Sequence, residues 1–327
     1  MERRLDLRRA ESFARRMRGE LNEAMLAMMA SIAHRTGLFE TMAALPPSTS
    51  TAIAAAAQLD ERYVREWLAA MVAGRIVDYD GARDTYELPR EHAACLTRSA
   101  GSDNLAARAR WIAALAQLEE PVAGCFRTGA GLPAAAFAPL RALEVAQARE
   151  DEAALVELVT TRLPELAARL EEGIEVLHLR SAPAGDIDEM ARRYPGSRHH
   201  EAQAIDGVAV PGYDLVTASG ALHRHPRPAL LLRVIHGSLR AGGSLLFAEE
   251  AASSRLADNL EHPFGPMLYG TSVLRSLPAS AGEGRALGIM WGEDSARRLL
   301  AEAGFGRVTA SRMGGPAGKN CFLACRA

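Results

Sequence analysis

The chain has few cysteines and no cysteine motif. Four are scattered over its 327 residues, at Cys95, Cys125, Cys321 and Cys325. Cys321 and Cys325 lie in a predicted strand, where four residues span roughly 13 Å. That distance is too long for a disulfide and argues against a shared zinc ion. The cysteine content therefore favours a reducing cytoplasm and predicts no metal site.

Net charge and long apolar runs are lacking as well. The formal charge is only -2, so nothing in it attracts nucleic acid or an anionic membrane. No apolar stretch is long enough for a signal peptide or a membrane span. We expect a cytoplasmic protein, and its length suits two domains.

The first hundred residues read as a helical domain. Apolar residues recur at helical spacing before Gly37, which ends the helix. We expect this methionine-rich stripe to be buried contact surface rather than part of a cofactor site. Its members are Leu21, Met25, Met28, Met29 and Ile32.

A winged helix follows in the same domain, residues 1–100. Ser50 is the expected N-cap of a helix over 51–57, and a second helix ends near Ala73. Strands are expected at 76–79 and 85–88, with a turn between them. The exposed positions of the second helix mix acidic residues with arginine, whereas a DNA-reading helix is more basic. The pattern favours a dimerisation or substrate-lid role over DNA binding.

Residues 101–172 form an alanine-rich helical connector, interrupted at 129–133 and again at Pro164. Trp111 and Phe126 have two interpretations, a pocket lining or buried packing, and packing is favoured.

The remainder, 173–327, alternates strands and helices, which predicts an α/β class with a Rossmann-like, doubly wound sheet. The expected strands are 174–179, 213–219, 244–250, 307–312 and 320–325. A lid insertion over 254–291 follows the strand that ends near Glu250.

Several motifs in this half resemble class I S-adenosylmethionine-dependent methyltransferases, in particular the small-molecule O-methyltransferase branch with an N-terminal winged helix. They are Asp214-Leu215-Val216, Ala221-Leu222-His223, Leu239-Arg240-Ala241-Gly242-Gly243 and Glu249. The stretches Gly37-Leu38-Phe39, 60–68, 91–96, 262–266 and 290–293 are similar to a bacterial subgroup labelled methyltransferases or regulators. The resemblance covers nearly the whole chain and implies a homodimer formed through the first domain.

The sequence departs from this family at the cofactor turn. Where the family has an acidic residue and a glycine-rich turn, this chain has His178 and then Arg180, Ser181, Ala182, Pro183 and Ala184. Each added β-carbon takes space that the cofactor needs, and Pro183 removes a backbone donor. We expect this degenerate turn not to bind S-adenosylmethionine conventionally, so no cofactor is expected unless the family activity survives.

A second departure is independent of the first. Between Ser197 and Gly212 there is too little chain for the family's third strand and its helix, so the sheet is expected to be one strand short. Glu201 is a weak candidate to replace the acidic residue that binds the cofactor ribose.

Candidate site residues lie at the expected carboxyl edge of the sheet. His223 and His225 follow a strand, where either would suit general acid or base chemistry, although ordinary loop histidines explain them equally simply. A metal held by them with Glu249 or Glu250 has no spacing signature. Arg180 could hold an anion, or pair with Asp186 or Glu249.

The lid supplies the predicted substrate-binding residues, with ligand contact and plain packing both left open. They are Met267, Tyr269, Arg275, Met290 and Trp291.

Three functions follow from this reading. The favoured one is a divergent methyltransferase homologue that keeps a small-molecule chamber for a non-methylating step in specialised metabolism. The second is an active O-methyltransferase with a rebuilt cofactor site, in which His223 deprotonates a substrate hydroxyl. The third is a pseudoenzyme that binds an active paralogue, or a winged-helix regulator.

Overall fold

A computed structural model describes residues 5–180, 189–203, 212–218, 220–281, 286–313 and 318–326. The turn residues Ser181 to Ala184 and part of the segment between Ser197 and Gly212 lie outside these ranges. The chain divides into two compact units, 1–116 and 117–327. Within the described part, every helix is too short or too polar to cross a lipid bilayer.

The first unit is a helical domain that carries one small hairpin. Its elements are α1 (Leu7–Thr36), α2 (Leu38–Ala44), α3 (Ser50–Ala57), α4 (Glu61–Ala73), β1 (Asp78–Asp80), β2 (Thr85–Glu87), α5 (Arg90–Leu96) and α6 (Leu105–Leu115). Gly37 ends α1 with φ +76°, as expected. The expected N-cap of α3 was wrong by one residue, because the Thr49 hydroxyl, not Ser50, accepts the N–H of Ala52. Strands β1 and β2 pair antiparallel, which completes the winged helix.

The core of this unit forms around Trp67 on α4. Its indole Nε1 donates to the Met29 carbonyl at 3.0 Å, and its ring meets Phe39 edge-on. Asp60 caps α4 by accepting the N–H groups of Arg62 and Tyr63. These contacts fix α4 against α1 and α2.

The apolar stripe of α1 is exposed at three of its five predicted positions, which corrects the expectation that all of it is buried. Leu21, Met25 and Ile32 are 67%, 60% and 44% exposed, and Phe13 and Met17 extend this exposed surface towards the start of the helix. Met28 and Met29 are half-buried, and Met29 packs against the core of the unit. The spacing identified one face correctly, but only its last part meets the core.

The second unit is the α/β domain. Its helices are α7 (Glu119–Thr128), α8 (Arg141–Arg162), α9 (Pro164–Glu172), α10 (Glu189–Arg193), α11 (Pro228–Ser238), α12 (Gly265–Thr271), α13 (Leu277–Ser280) and α14 (Glu293–Glu302). Its strands are β3 (Glu175–Arg180), β4 (Arg198–Gln203), β5 (Tyr213–Ala218), β6 (Leu239–Glu250), β7 (Val308–Met313) and β8 (Lys319–Cys325). Phe126, expected to be buried, is 77% exposed at the end of α7.

All six strands join one sheet in the order β4-β3-β5-β6-β8-β7. Strands β4, β3, β5 and β6 are parallel, and β8 runs antiparallel between β6 and β7. The described residues thus confirm the Rossmann-like α/β class with six strands. Because neighbouring parallel strands end at the same edge, the loops after β3, β5 and β6 meet there.

Both faces of this sheet are apolar. Leu177, Val216 and Phe247 pack on one face with residues of α11 and α14. Val176, Leu215 and Leu246 pack on the other with α8, α9 and α10. Burial on both faces explains why the central strands read as continuous hydrophobic runs.

Candidate active site

A histidine and a glutamate meet at the carboxyl edge of the sheet. His223 lies in the loop between β5 and α11, and Glu249 lies near the end of the neighbouring strand β6. His223 Nδ1 and Glu249 Oε2 are 2.6 Å apart, with side-chain exposures of 7% and 3%. The structure therefore places the predicted acid or base, His223, against a buried carboxylate.

The two nitrogen atoms of His223 have different partners. Nδ1 faces a carboxylate oxygen, which only accepts, so Nδ1 carries the proton. Nε2 receives the Arg224 Nε–H at 3.2 Å, so Nε2 carries the lone pair. Both neighbours thus favour the same tautomer, with the basic nitrogen at Nε2. A substrate proton taken up by His223 must arrive at Nε2, where it displaces the arginine.

Glu249 has a second oxygen that is not used. Its Oε1 is buried and lacks a hydrogen-bond partner among the described residues. The indole Nε1 of Trp291 is also buried and also lacks a hydrogen-bond partner among the described residues. Leaving such groups unpaired costs free energy, and a ligand with donor and acceptor atoms could recover it.

A chain of buried charges continues from His223. Arg224 Nη1 reaches Glu144 Oε1 on α8 at 3.3 Å, and Arg275 Nε reaches the same oxygen at 2.7 Å. The Arg275 guanidinium also lies over the Phe137 ring, 4.3 Å from its centroid. Burial lowers the pKa of Arg224, and Glu144 acts against that effect. Arg275 alone of the predicted lid residues joins this network.

A second ion cluster lies farther along α8. Lys319, at the start of β8, donates to both oxygens of Asp151 at 2.6 Å, and Glu250 is 3.7 Å away. Burial acts to lower the pKa of Lys319, but the two carboxylates outweigh it and raise the pKa. Glu250 is therefore part of a structural ion cluster rather than a partner of His223.

Arg180, the first residue of the degenerate turn, is enclosed by carboxylates. Its Nε and Nη2 atoms both donate to Glu201 Oε1, at 3.0 and 2.7 Å, and Nη1 lies 3.8 Å from Glu152 on α8. The expected partner Glu249 instead contacts His223, and Asp186 is outside the described residues. The guanidinium and Glu201, the candidate ribose ligand, are thus tied to each other.

His178, at the family's acidic position, is also committed to protein contacts. It is buried in β3, where Nδ1 meets the Thr217 hydroxyl at 2.7 Å and Nε2 meets His199 Nδ1 at 3.0 Å. The two histidine rings stack nearly parallel. At the described end of the cofactor turn, Arg180 thus stands where the resemblance implies a glycine, and Glu201, the candidate ribose ligand, is paired with it.

The other predicted site residues are dispersed. His225 Nδ1 accepts the N–H of Arg227, a contact that shapes the loop before α11. Tyr269 receives the Asn259 amide at its hydroxyl, and Met267 is half-buried beside it on α12. Met290 and Trp291 are buried, Trp291 within the core of the sheet. Only His223 and Arg275 are joined, through Arg224 and Glu144.

No group of three or more metal-ligating side chains occurs within the described ranges. All four cysteines are free, and burial raises the pKa of Cys321 to about 12, so its thiol is unreactive.

Sequence reasoning missed Glu144 and Arg224 as site residues. Glu144 is 80 residues from Arg224 and 131 from Arg275, so no spacing links them. A weak signal was available on α8, where Glu144, Asp151 and Glu152 recur at helical spacing in an otherwise apolar face.

Comparison with known proteins agrees with this architecture. Residues 24–98 match the family model of the Rv2258c-like winged HTH domain. No curated protein matches the sequence. Solved structures match along nearly the full length, at low sequence identity.

Three of these structures are informative. A proposed O-methyltransferase from Nostoc punctiforme PCC 73102 has 15% identity and a TM-score of 0.66, covering 95% of this chain and 98% of its own. Human N-acetylserotonin methyltransferase, solved with S-adenosylmethionine, has 18% identity and a TM-score of 0.64, with both chains fully covered. The mitomycin 7-O-methyltransferase has 16% identity and a TM-score of 0.66, covering 98% and 100%. The chain therefore has the fold of the small-molecule O-methyltransferases, preceded by an Rv2258c-like winged-helix domain.

Proposed function

We propose that this protein is a divergent member of the O-methyltransferase fold that has lost conventional S-adenosylmethionine binding and keeps a small-molecule chamber. The observation that carries the proposal is the ion pair between Arg180 and Glu201. It places a bulky cation at the first position of the cofactor turn and uses the carboxylate that would otherwise face the ribose.

The chamber is supported by the chemistry around His223. Glu249 orients the imidazole and keeps Nε2 basic, which suits proton transfer to or from a ligand hydroxyl. The unpaired Glu249 Oε1, beside His223, is an acceptor that such a ligand could use.

Calorimetry tests the loss of the cofactor. We expect no heat of binding when the wild-type protein is titrated with S-adenosylmethionine or with S-adenosylhomocysteine up to millimolar concentration. Micromolar binding of either compound would refute the proposal. Arg180→Gly, which restores glycine at the first position, is the informative variant: a gain of weak binding would confirm that the guanidinium blocks the site.

A second candidate is an active O-methyltransferase with a rebuilt cofactor site. It is favoured by the His223–Glu249 contact, since His223 could take the proton of a substrate hydroxyl and leave its oxygen ready to attack a methyl group. The same titration separates the two candidates, because only this one requires S-adenosylmethionine to bind.

We further propose that the protein forms a homodimer through α1. Its exposed stripe of Phe13, Met17, Leu21, Met25 and Ile32 is a continuous apolar surface of the kind that marks a protein interface. An active paralogue with a matching helix is the alternative partner.

A further inference from the structure

Arg224 and Arg275, close to His223 and Glu144, have more hydrogen-bond donors than the described residues use. Arg224 donates through Nε to His223 and through Nη1 to Glu144, and Arg275 donates through Nε to Glu144. Among the described residues, Arg224 Nη2 and both Nη atoms of Arg275 have no hydrogen-bond partner. The side chains of Arg224 and Arg275 are partly accessible to solvent, at 22% and 12% exposure.

The two guanidinium groups share one carboxylate oxygen, Glu144 Oε1, so most of their N–H groups are left for another acceptor. A carboxylate can accept these remaining N–H groups in charge-assisted hydrogen bonds.

The position of Arg275 is fixed independently of any ligand. Phe137, which is buried, supports the flat face of its guanidinium, while Glu144 holds Nε. One Nη group of Arg275 shares the direction of Nε, and the far end of the guanidinium, where both Nη groups carry a further N–H, is left for a ligand. A preorganised fork of this kind matches the two oxygens of a carboxylate.

The anion would lie next to the basic nitrogen of His223. In a guanidinium, Nε–H and one Nη–H point in the same direction, so a group bound at Arg224 Nη2 is adjacent to the atom that Arg224 Nε now contacts. That atom is His223 Nε2. A compact ligand could therefore place an acid group on the arginines and a hydroxyl on the histidine.

We propose that Arg224 and Arg275 bind the carboxylate of a small hydroxy acid whose hydroxyl faces His223 Nε2. The assignment rests on the small-molecule chamber of the proposed function and adds the chemical class of its ligand. It does not depend on whether a cofactor binds, because the ligand and the arginine variants are tested in the absence of S-adenosylmethionine.

Matched acid and amide pairs test this assignment by calorimetry on the full chain. Suitable probes are 2-, 3- and 4-hydroxybenzoate with the corresponding hydroxybenzamides, which differ only in the charge of the group. For at least one pair, we expect the acid to bind about tenfold more tightly than the amide, as a charge-assisted hydrogen bond provides.

Three variants make the test specific to the arginine pair. Arg275→Gln should abolish the preference for the acid while leaving weak amide binding unchanged. Glu144→Gln, which removes the internal competitor for both guanidiniums, should increase that preference. Arg298→Gln is the matched control, since Arg298 lies on α14 and pairs with Glu302 at the surface. Circular dichroism and a melting curve establish that each variant is folded.

Several results would overturn the assignment. The wild type could bind acid and amide equally, or the acid preference could persist in Arg275→Gln. Either result would show that the arginines do not recognise a carboxylate, while the proposed small-molecule chamber would remain supported. Inorganic phosphate that binds as tightly as every acid, with the same dependence on Arg275, would mean a general anion site. Failure of all six compounds to bind would refute both the ligand class and the proposed chamber. The loss of cofactor binding is tested separately, by the titration with S-adenosylmethionine.

Discussion

His223 Nδ1 lies 2.6 Å from Glu249 Oε2, at the point where β5 and β6 end side by side. The contact depends on sheet order, since the two residues are 26 positions apart and only the parallel pairing of their strands brings them together. It leaves Nε2 as the one nitrogen through which the imidazole exchanges a proton with a ligand.

The tautomer of His223 is the first testable consequence. Nitrogen NMR of the neutral His223 side chain should show Nδ1 protonated and Nε2 unprotonated, the opposite of the tautomer that free histidine prefers. Glu249→Leu removes the acceptor and should shift a measurable fraction to the Nε2–H tautomer. Glu302→Gln, a surface change on α14, should leave the spectrum unaltered. A wild-type spectrum with Nε2 protonated would contradict the assigned roles of both partners.

Arg180 should also contribute to stability. Its side chain is 13% exposed and lies beside Glu152, which is equally buried, so removal leaves a carboxylate without its cation. We expect Arg180→Met to lower the free energy of unfolding by about 3 kcal/mol. Urea denaturation measures the change, and Arg192→Gln, which breaks an exposed pair with Glu189, should cost less than about 0.5 kcal/mol. If both variants lost the same small amount, Arg180 would not be a buried ion-pair partner.

Glu175 should make the native state sensitive to acid. Hydrogen bonds from Arg198 and from His200 hold the pKa of this carboxyl below its ordinary value of 4.5. Because the folded pKa is lowered, the stabilisation is present above about pH 4.5 and is lost as the pH falls through the folded value. A carbon NMR titration of the carboxyl should give a low midpoint, and Arg198→Gln should move it upwards. An unchanged midpoint in that variant would exclude Arg198 as the main cause.

The stripe on α1 predicts the oligomeric state. Analytical ultracentrifugation should find a dimer, and Leu21→Glu combined with Met25→Glu should yield a monomer, because a carboxylate is costly in an apolar interface. Glu23→Arg changes a charge away from the stripe and should leave the dimer intact. A wild-type monomer at micromolar concentration would contradict the proposed interface.

Local patterns predicted much of the fold. Val64, Trp67, Leu68 and Met71 recur at helical spacing and form the buried face of α4, and the apolar runs identified β3, β5 and β6. Errors arose where neighbouring residues had equal chemistry: Thr49 and Ser50 are both good N-caps, and sequence does not choose between them. The exposure of Met25 was missed because helical periodicity finds an apolar face without identifying what covers it.

The site was less predictable for a physical reason. His223 could be identified because it directly follows a strand, but its environment comes from Glu144, Arg224 and Glu249, which converge only after the sheet and α8 have packed. The predicted pairing of Arg180 with Glu249 was wrong for the same reason, since β4 and α8 supply the carboxylates that the described residues place against it. Long-range ion pairs leave no periodic trace in a sequence.

Strand β4 lies at the outer edge of the sheet, where the described residues pair it with β3 on one side only. An unpaired edge offers backbone donors and acceptors to any extended chain nearby, and is a common starting point for aggregation. The strand carries Arg198, His200 and Glu201, with side chains 77%, 47% and 52% exposed. Such hydrated charges discourage edge-to-edge pairing between molecules. Replacing these charges with apolar residues would leave this edge open to pairing with other molecules.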